Sequence, residues 1–184
     1  MKLSPRLWLV VLNYTNIFVM VFLVAHNKRM EYCFVEFQVD DCKRFNALCE
    51  VFNEIKKDKD NDFWRNEEDW LIFFDRKALS HFWWPSEEEE TEYYRRWFAT
   101  PVEQRWTDPS LETPWDFYSM FDAFQNGEYQ LIACRMLSVD RARLEFDPFG
   151  HPYGGTGAIQ ALIESFDFVI LAEDDGIEYT KFNL

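Results

Sequence analysis

Glycine is scarce in this chain: six residues in 184, beside seven prolines. That excludes collagen-like and low-complexity architectures. There is no Ser/Gly-rich linker and no internal repeat, so a solenoid or a string of flexibly joined modules is excluded too. No Cys-x-x-Cys pair and no Cys/His cluster has zinc spacing, and no glycine-rich loop continues into the lysine of a Walker motif or reads GxGxxG. No metal and no cofactor is therefore expected. Positive charge is also in short supply, with 19 Lys and Arg against 33 Asp and Glu and a formal net charge of −14. The first 29 residues hold Lys2, Arg6, Lys28 and Arg29 and no acid, which leaves 15 basic against 33 acidic groups in residues 30–184, a net of −18. Such a surface repels nucleic acid and anionic lipid and suits a basic protein partner.

Aromatic side chains are abundant, at 19% of the chain, and fit a folded domain rather than a disordered one. The length suits one domain large enough to bury a core without disulfides. Of the four cysteines, Cys42 and Cys49 lie seven apart on a predicted helix, about 10 Å between Cα atoms and too far for a disulfide. All four are expected as buried free thiols in a reducing compartment, which places the domain in the cytoplasm.

Residues 1–29 read differently from the rest. Leu7–Ala25 (LWLVVLNYTNIFVMVFLVA) would span about 28 Å as a helix, enough for a membrane anchor. Asn13-Tyr14-Thr15-Asn16 breaks the run at its centre and would equally suit a turn between two strands. A signal peptide, or a leader left unused because Met30 is the start, completes the alternatives. The expected organisation is an apolar segment over 1–29, with membrane attachment through residues 7–25 as one reading, and an acidic domain over 30–184.

From Met30 onward strand and helix patterns alternate. Glu31–Val39 reads as a strand. Asp40 or Asp41 caps a helix that places Cys42, Phe45, Leu48, Cys49, Phe52 and Ile55 on one face. Asp69–Phe74 (DWLIFF) reads as a short strand. Ser86 and Glu89 form a capping box for a helix whose inward stripe is Tyr93, Tyr94, Trp97 and Phe98, with Glu92 pairing outward to Arg95 or Arg96. Thr113-Pro114-Trp115-Asp116 opens another helix, with Phe117, Met120, Phe121 and Phe124 inward and Gly127 as its stop. Glu128–Leu137 is apolar on both faces and reads as a central strand, joined by a hairpin to Ala142–Phe146. Thr156 caps a helix over Gly157–Phe166, Phe168–Ala172 is a final strand, and Glu173–Leu184 is an acidic, polar tail. The expected fold is α+β: one domain with a mixed β-sheet of about five strands and about four packed helices.

Two regions carry functional expectations. Four of the six glycines fall in Asp147–Phe168, at Gly150, Gly154, Gly155 and Gly157. Gly154, Gly155, Thr156 and Gly157 would present free backbone N–H groups at a helix start, where an anion or ligand can bind. His151 and Asp147 are the candidates there for acid–base chemistry, and Cys134 could complete a nucleophilic site with them unless it is a core thiol. Gly150–Ala158 (GHPYGGTGA) resembles the histidine loop of thiolases, which implies a general-base role for His151. The resemblance covers nine residues; the chain is too short for the two-halved thiolase fold, and its cysteines sit in no matching context.

The second region is Phe63–Trp115, which holds seven of the eight tryptophans, interleaved with acids and arginines. They cannot all be fully buried in a domain of this size. Trp83, Trp84, Trp97 and Trp106 are therefore candidate interface residues. The function expected from these features is a non-enzymatic protein-binding or inhibitor-like (immunity-type) module. The alternative is a small enzyme or anion-binding domain built on loop 147–157.

Overall fold

The computed structural model describes residues 32–149 and 155–182. The readings of Leu7–Ala25 and Met30, and those of Gly150, His151 and Gly154, fall outside the described residues.

The centre of the fold is strand β1 (Cys33–Gln38), where aromatic and branched residues alternate with polar ones. It pairs on one side with β3 (Arg141–Pro148) and on the other with β4 (Ile170–Asp174). Strands β2 (Tyr129–Met136) and β5 (Tyr179–Lys181) complete a sheet of order β2-β3-β1-β4-β5. Every pairing is antiparallel, where the sequence suggested a mixed sheet. The fold is a single α+β domain.

One face of the sheet is apolar. Val35 and Phe37 of β1 are fully buried there with Ala142 and Leu144 of β3. Helix α1 (Cys42–Asp60) covers it with Phe45, Leu48, Phe52 and Ile55, at the predicted spacing, and Asp41 caps it by accepting from the amides of Lys43 and Arg44. Helix α4 (Phe117–Asn126) adds Phe117, Met120, Phe121 and Phe124, all fully buried, and α5 (Gly157–Ser165) adds Ile159, Leu162 and Ile163. The opposite face carries charge in cross-strand pairs. Glu36 lies between Arg143 (2.9 Å) and Arg141 (3.4 Å), and Glu145 pairs with Arg135 (3.0 Å). The Arg143 guanidinium also covers the Phe34 ring at 3.6 Å, so among the described residues aliphatic stems and ion pairs, not a helix, lie on this face.

Several predicted elements are corrected. DWLIFF is not a strand but part of a 3₁₀ segment, Glu67–Phe73. A three-residue period brings Trp70 and Phe73 together, with ring centroids 5.9 Å apart, while Ile72 points outward. Helix α4 starts at Phe117, not at Pro114, because the Asp116 carboxylate accepts from the Ser119 amide and is the cap. Strand β2 is an edge strand, not a central one. Its pairing with β3 shifts between Leu131 and Ala133, so Ile132 leaves the alternation and gives the sequence a two-sided apolar look. The polar tail contributes β5, whose turn uses Gly176 at φ 89° and Asp175 accepting from two following amides.

The end of α4 is closed from another element. Lys59, in the last turn of α1, donates to the carbonyls of Phe124 and Gly127, each at 2.7 Å, and lies 5.0 Å from the Tyr129 ring centroid. A cation at a helix C-terminus offsets the partial negative charge of the unpaired carbonyls. Lys59→Met keeps the packing and removes the donors. It is expected to destabilise the domain by about 1.5–3 kcal/mol, read from urea midpoints. A change below about 0.5 kcal/mol would mean that water replaces the ammonium without cost.

Candidate functional site

The described residues contain two places where side chains gather beyond the needs of the core. The first is an ion-pair hub at the end of α5. Asp167 adopts φ 62° there, a left-handed conformation that Asp tolerates because its short side chain bonds locally. Its carboxylate meets Arg44 (2.8 Å), Lys77 (3.0 Å) and His81 (3.0 Å). Burial alone would raise the Asp167 carboxyl, but Lys77, His81 and Arg44 together hold it below the usual carboxylate range. Arg44 also donates to the carbonyls of Phe166 (2.9 Å) and Ser165 (3.3 Å) and to Asp75 (3.1 Å). A cleft of about 370 Å³ opens beside it, lined by Lys43, Ala47, Phe73, Phe74 and Phe166 among others. Its guanidinium is already committed to four protein oxygens, so the cleft offers an incoming anion little beyond Lys43. Among the described residues His81 has Asp167 as its hydrogen-bond partner and no hydroxyl or thiol to activate. The hub ties α1, α2 (Arg76–Leu79) and α5 together.

A second ion cluster, Glu54–Arg65–Asp58, is structural in the same sense. The Arg65 hydrogen bonds hold Glu54 down, and they outweigh the upward push of burial on Asp58. Folded-state values below the unfolded ones mean that these carboxylates stabilise the fold fully above about pH 4. That stability is lost as pH falls through the lower folded-state values. We therefore expect the urea midpoint to be flat from pH 7 to about 5 and to fall steeply below about pH 4. A midpoint unchanged down to about pH 2.5 would mean that these pairs contribute nothing.

The glycine-rich segment is described from Gly155 onward. Gly155 takes φ 57°, and Gly157 packs where an added Cβ would stand 3.0 Å from the Trp115 ring. Thr156 occupies the N-cap position of α5, but its hydroxyl does not bond the helix amides, a correction to its predicted capping role. The hydroxyl donates instead to Glu173, which also accepts from the Gln160 amide at 2.6 Å. The α5 start thus has a carboxylate of its own alongside. Asp147 lies near the end of β3, opposite Gln130. Cys134 is on the apolar side of β2, half-buried against the core, where the shift at Ile132 gives it Leu131 and Met136 as face neighbours. Among the described residues no three His, Cys, Asp or Glu side chains are grouped to hold a metal ion. No helix among them is long and apolar enough to cross a membrane.

The second gathering is aromatic. Helix α3 (Glu87–Ala99) starts with the predicted capping box, Ser86 and Glu89 bonding reciprocally, and Glu92 pairs with Arg95 at 2.7 Å and with Arg96 at 3.8 Å. Its stripe of Tyr93, Tyr94, Trp97 and Phe98, however, is not turned into the core: none of the thirteen residues of α3 is buried. The helix rests on the short 3₁₀ turn Pro109–Leu111, to which Arg96 donates through the Ser110 carbonyl at 2.9 Å. Rings run in contact along this surface. Trp83 meets Tyr93 at 5.0 Å, Tyr93 meets Trp97 at 6.0 Å, and Trp97 meets Trp106 edge-on at 5.5 Å. Tyr94 stacks on Phe98, and Arg105 lies within 6.0 Å of the Trp97 and Phe98 ring centroids. Phe98 is 71% exposed and Trp106 is 83% exposed.

Of the four candidate interface tryptophans, Trp83, Trp97 and Trp106 belong to this chain of rings. Trp84 is placed differently: it stacks on buried Phe117 and donates its indole N–H to the Leu79 carbonyl, which fastens the start of the region to the core. Tyr94 and Phe98 join the surface with no local mark of it in the sequence, because an apolar stripe at helical spacing looks the same whether or not another element covers it. The acidic end of α3 borders the rings. No ion pair among the described residues engages Glu87, Glu88 or Glu90. Among the described residues the domain is thus a single antiparallel sheet with helices packed on one face, and beside it α3 leaves its aromatic stripe unburied. No protein-family model, no curated protein and no solved structure matches the chain.

Proposed function

We propose that this domain is a non-enzymatic protein-binding module that takes a basic partner on the α3 surface. The observation that carries this reading is that α3 buries none of its residues while presenting two tyrosines, a tryptophan and a phenylalanine. Soluble domains rarely leave a contiguous apolar patch of this kind without a use for it. Aromatic residues with arginine are also the composition of energetic centres in protein interfaces. Charge selects the partner. Glu87, Glu88 and Glu90 border the rings, and residues 30–184 carry 33 acidic against 15 basic groups, so a positively charged surface is steered in and an acidic one turned away. An inhibitor-like, immunity-type role fits this arrangement.

The alternative, a small enzyme or an anion- or ligand-binding domain using loop 147–157, draws less support, because the Glu173 carboxylate already sits at the start of α5. Capture experiments with the full chain at about 50 mM and about 500 mM salt test the electrostatic component, since the screening length falls from roughly 14 Å to 4 Å over that range. A basic partner retained at low salt and at least tenfold depleted at high salt is expected. Retention independent of salt, or of acidic partners only, would contradict the proposed charge selection.

A further inference from the structure

Helix α1 runs beside the edge strand β2, and the two elements bring together cysteines 85 positions apart in sequence. The Sγ atoms of Cys49 and Cys134 lie 3.2 Å apart, and the Cys49 thiol also points at the Cys134 carbonyl oxygen, 3.9 Å away. Both residues are half-buried at the margin of the core. The other two cysteines are placed differently: Cys33 is buried and Cys42 is exposed, the latter against the expectation that all four would be buried. A disulfide needs an S–S distance near 2.05 Å, so closing this pair asks for a movement of about 1 Å, within the reach of χ1 adjustments at each residue.

We propose that Cys49 and Cys134 form a peroxide-responsive dithiol site that closes reversibly to an intramolecular disulfide. The roles of the two thiols differ. The hydrogen bond shared with Cys134 holds the Cys49 thiol below its ordinary value despite burial, whereas the same bond and burial push Cys134 up. Cys49 is the attacking group. Its thiolate displaces hydroxide from a peroxide O–O bond and becomes a sulfenic acid, and the hydroxide takes up a proton to leave as water. The Cys134 sulfur then attacks the Cys49 sulfur, the S–O bond breaks, the Cys134 proton leaves with the departing oxygen, and a second water forms. Two thiols have lost two electrons to one peroxide, and an added dithiol reverses the change. The cross-link joins α1 to β2 and closes a long loop, so the oxidised form resists unfolding.

The test uses hydrogen peroxide on the full chain, with Cys42→Ser as a second protein to suppress intermolecular bridges. Thiol titration after denaturation is expected to fall from four to two per chain and to return with dithiothreitol. Non-reducing peptide maps should show the Cys49 and Cys134 fragments joined, and the melting midpoint should rise by about 10 °C. In Cys134→Ser, Cys49 should stop at the sulfenic acid and be labelled by dimedone. The mapping on the wild-type chain stands even if that variant fails to fold. Joined fragments involving only Cys33 or Cys42 would overturn the proposal, as would over-oxidised Cys49 with Cys134 still free, or no thiol loss.

Discussion

Replacing Arg65 with methionine is expected to destabilise the domain by about 3–5 kcal/mol, among the largest effects of any single exchange at a charged position. Arg65 donates to both oxygens of Asp58, through Nε and Nη2 at 2.8 Å each, and reaches Glu54 at 2.6 Å. The Asp58 side chain is only 3% exposed, so removing its cation leaves a carboxylate in a poorly solvated place with no partner of opposite sign. The guanidinium carbon also lies over Trp70, 4.2 Å from the ring centroid, and methionine replaces part of that contact but none of the charge. Urea unfolding of Arg65→Met and of Arg65→Met/Asp58→Leu separates the two contributions. The double variant should recover most of the loss, because a well-packed apolar pair costs little where an unpaired charge costs much. If it is no more stable than Arg65→Met, packing rather than charge is what Arg65 supplies.

Trp70 gives the second large effect, and its size depends on the replacement. Trp70 is fully buried, stacked on Phe121 at 4.4 Å and in contact with Trp64 and Phe73. Trp70→Ala should cost about 3–5 kcal/mol through the cavity it leaves. The indole N–H, however, is buried without a hydrogen-bond partner among the described residues. Trp70→Phe removes that orphan donor along with some ring area, and the two changes oppose one another. A cost under about 1.5 kcal/mol is expected for Phe. Equal losses for Ala and Phe, measured by thermal or urea unfolding, would mean that the N–H is satisfied after all.

Most of what rests on local chemistry was legible in the sequence, although the Thr156 cap and the Pro114 start of α4 were not where local chemistry put them. The α1 face without Cys42, the Asp41 cap, the Ser86–Glu89 capping box and the buried stripe of α4 appear where spacing and cap residues put them. These features depend on neighbours within four positions in the chain. What depended on distant partners was not legible. The edge position of β2 is set by the shift at Ile132 and by the pairing of β1 with β3, neither of which leaves a local mark. The DWLIFF segment has the composition of a strand, yet its rings satisfy a three-residue period. The Cys49–Cys134 approach joins residues 85 positions apart. For the aromatic surface, composition pointed to the right stretch and to Trp83, Trp97 and Trp106. Periodicity then turned Tyr94 and Phe98 inward, because a helical apolar stripe does not reveal whether anything packs on it.

In the proposed function the α3 rings serve a partner and not the fold. The variant Tyr94→Ser/Phe98→Ser/Trp106→Ser tests it most directly, since all three side chains are largely exposed. Its unfolding midpoint and its capture of partners at low salt are measured beside the wild-type chain. An unfolding free energy within about 1 kcal/mol of wild type is expected, with partner retention reduced by about 30-fold or more, the loss of one interface hot spot. A variant that unfolds markedly more easily, or one that keeps its partners at wild-type yield, would contradict it.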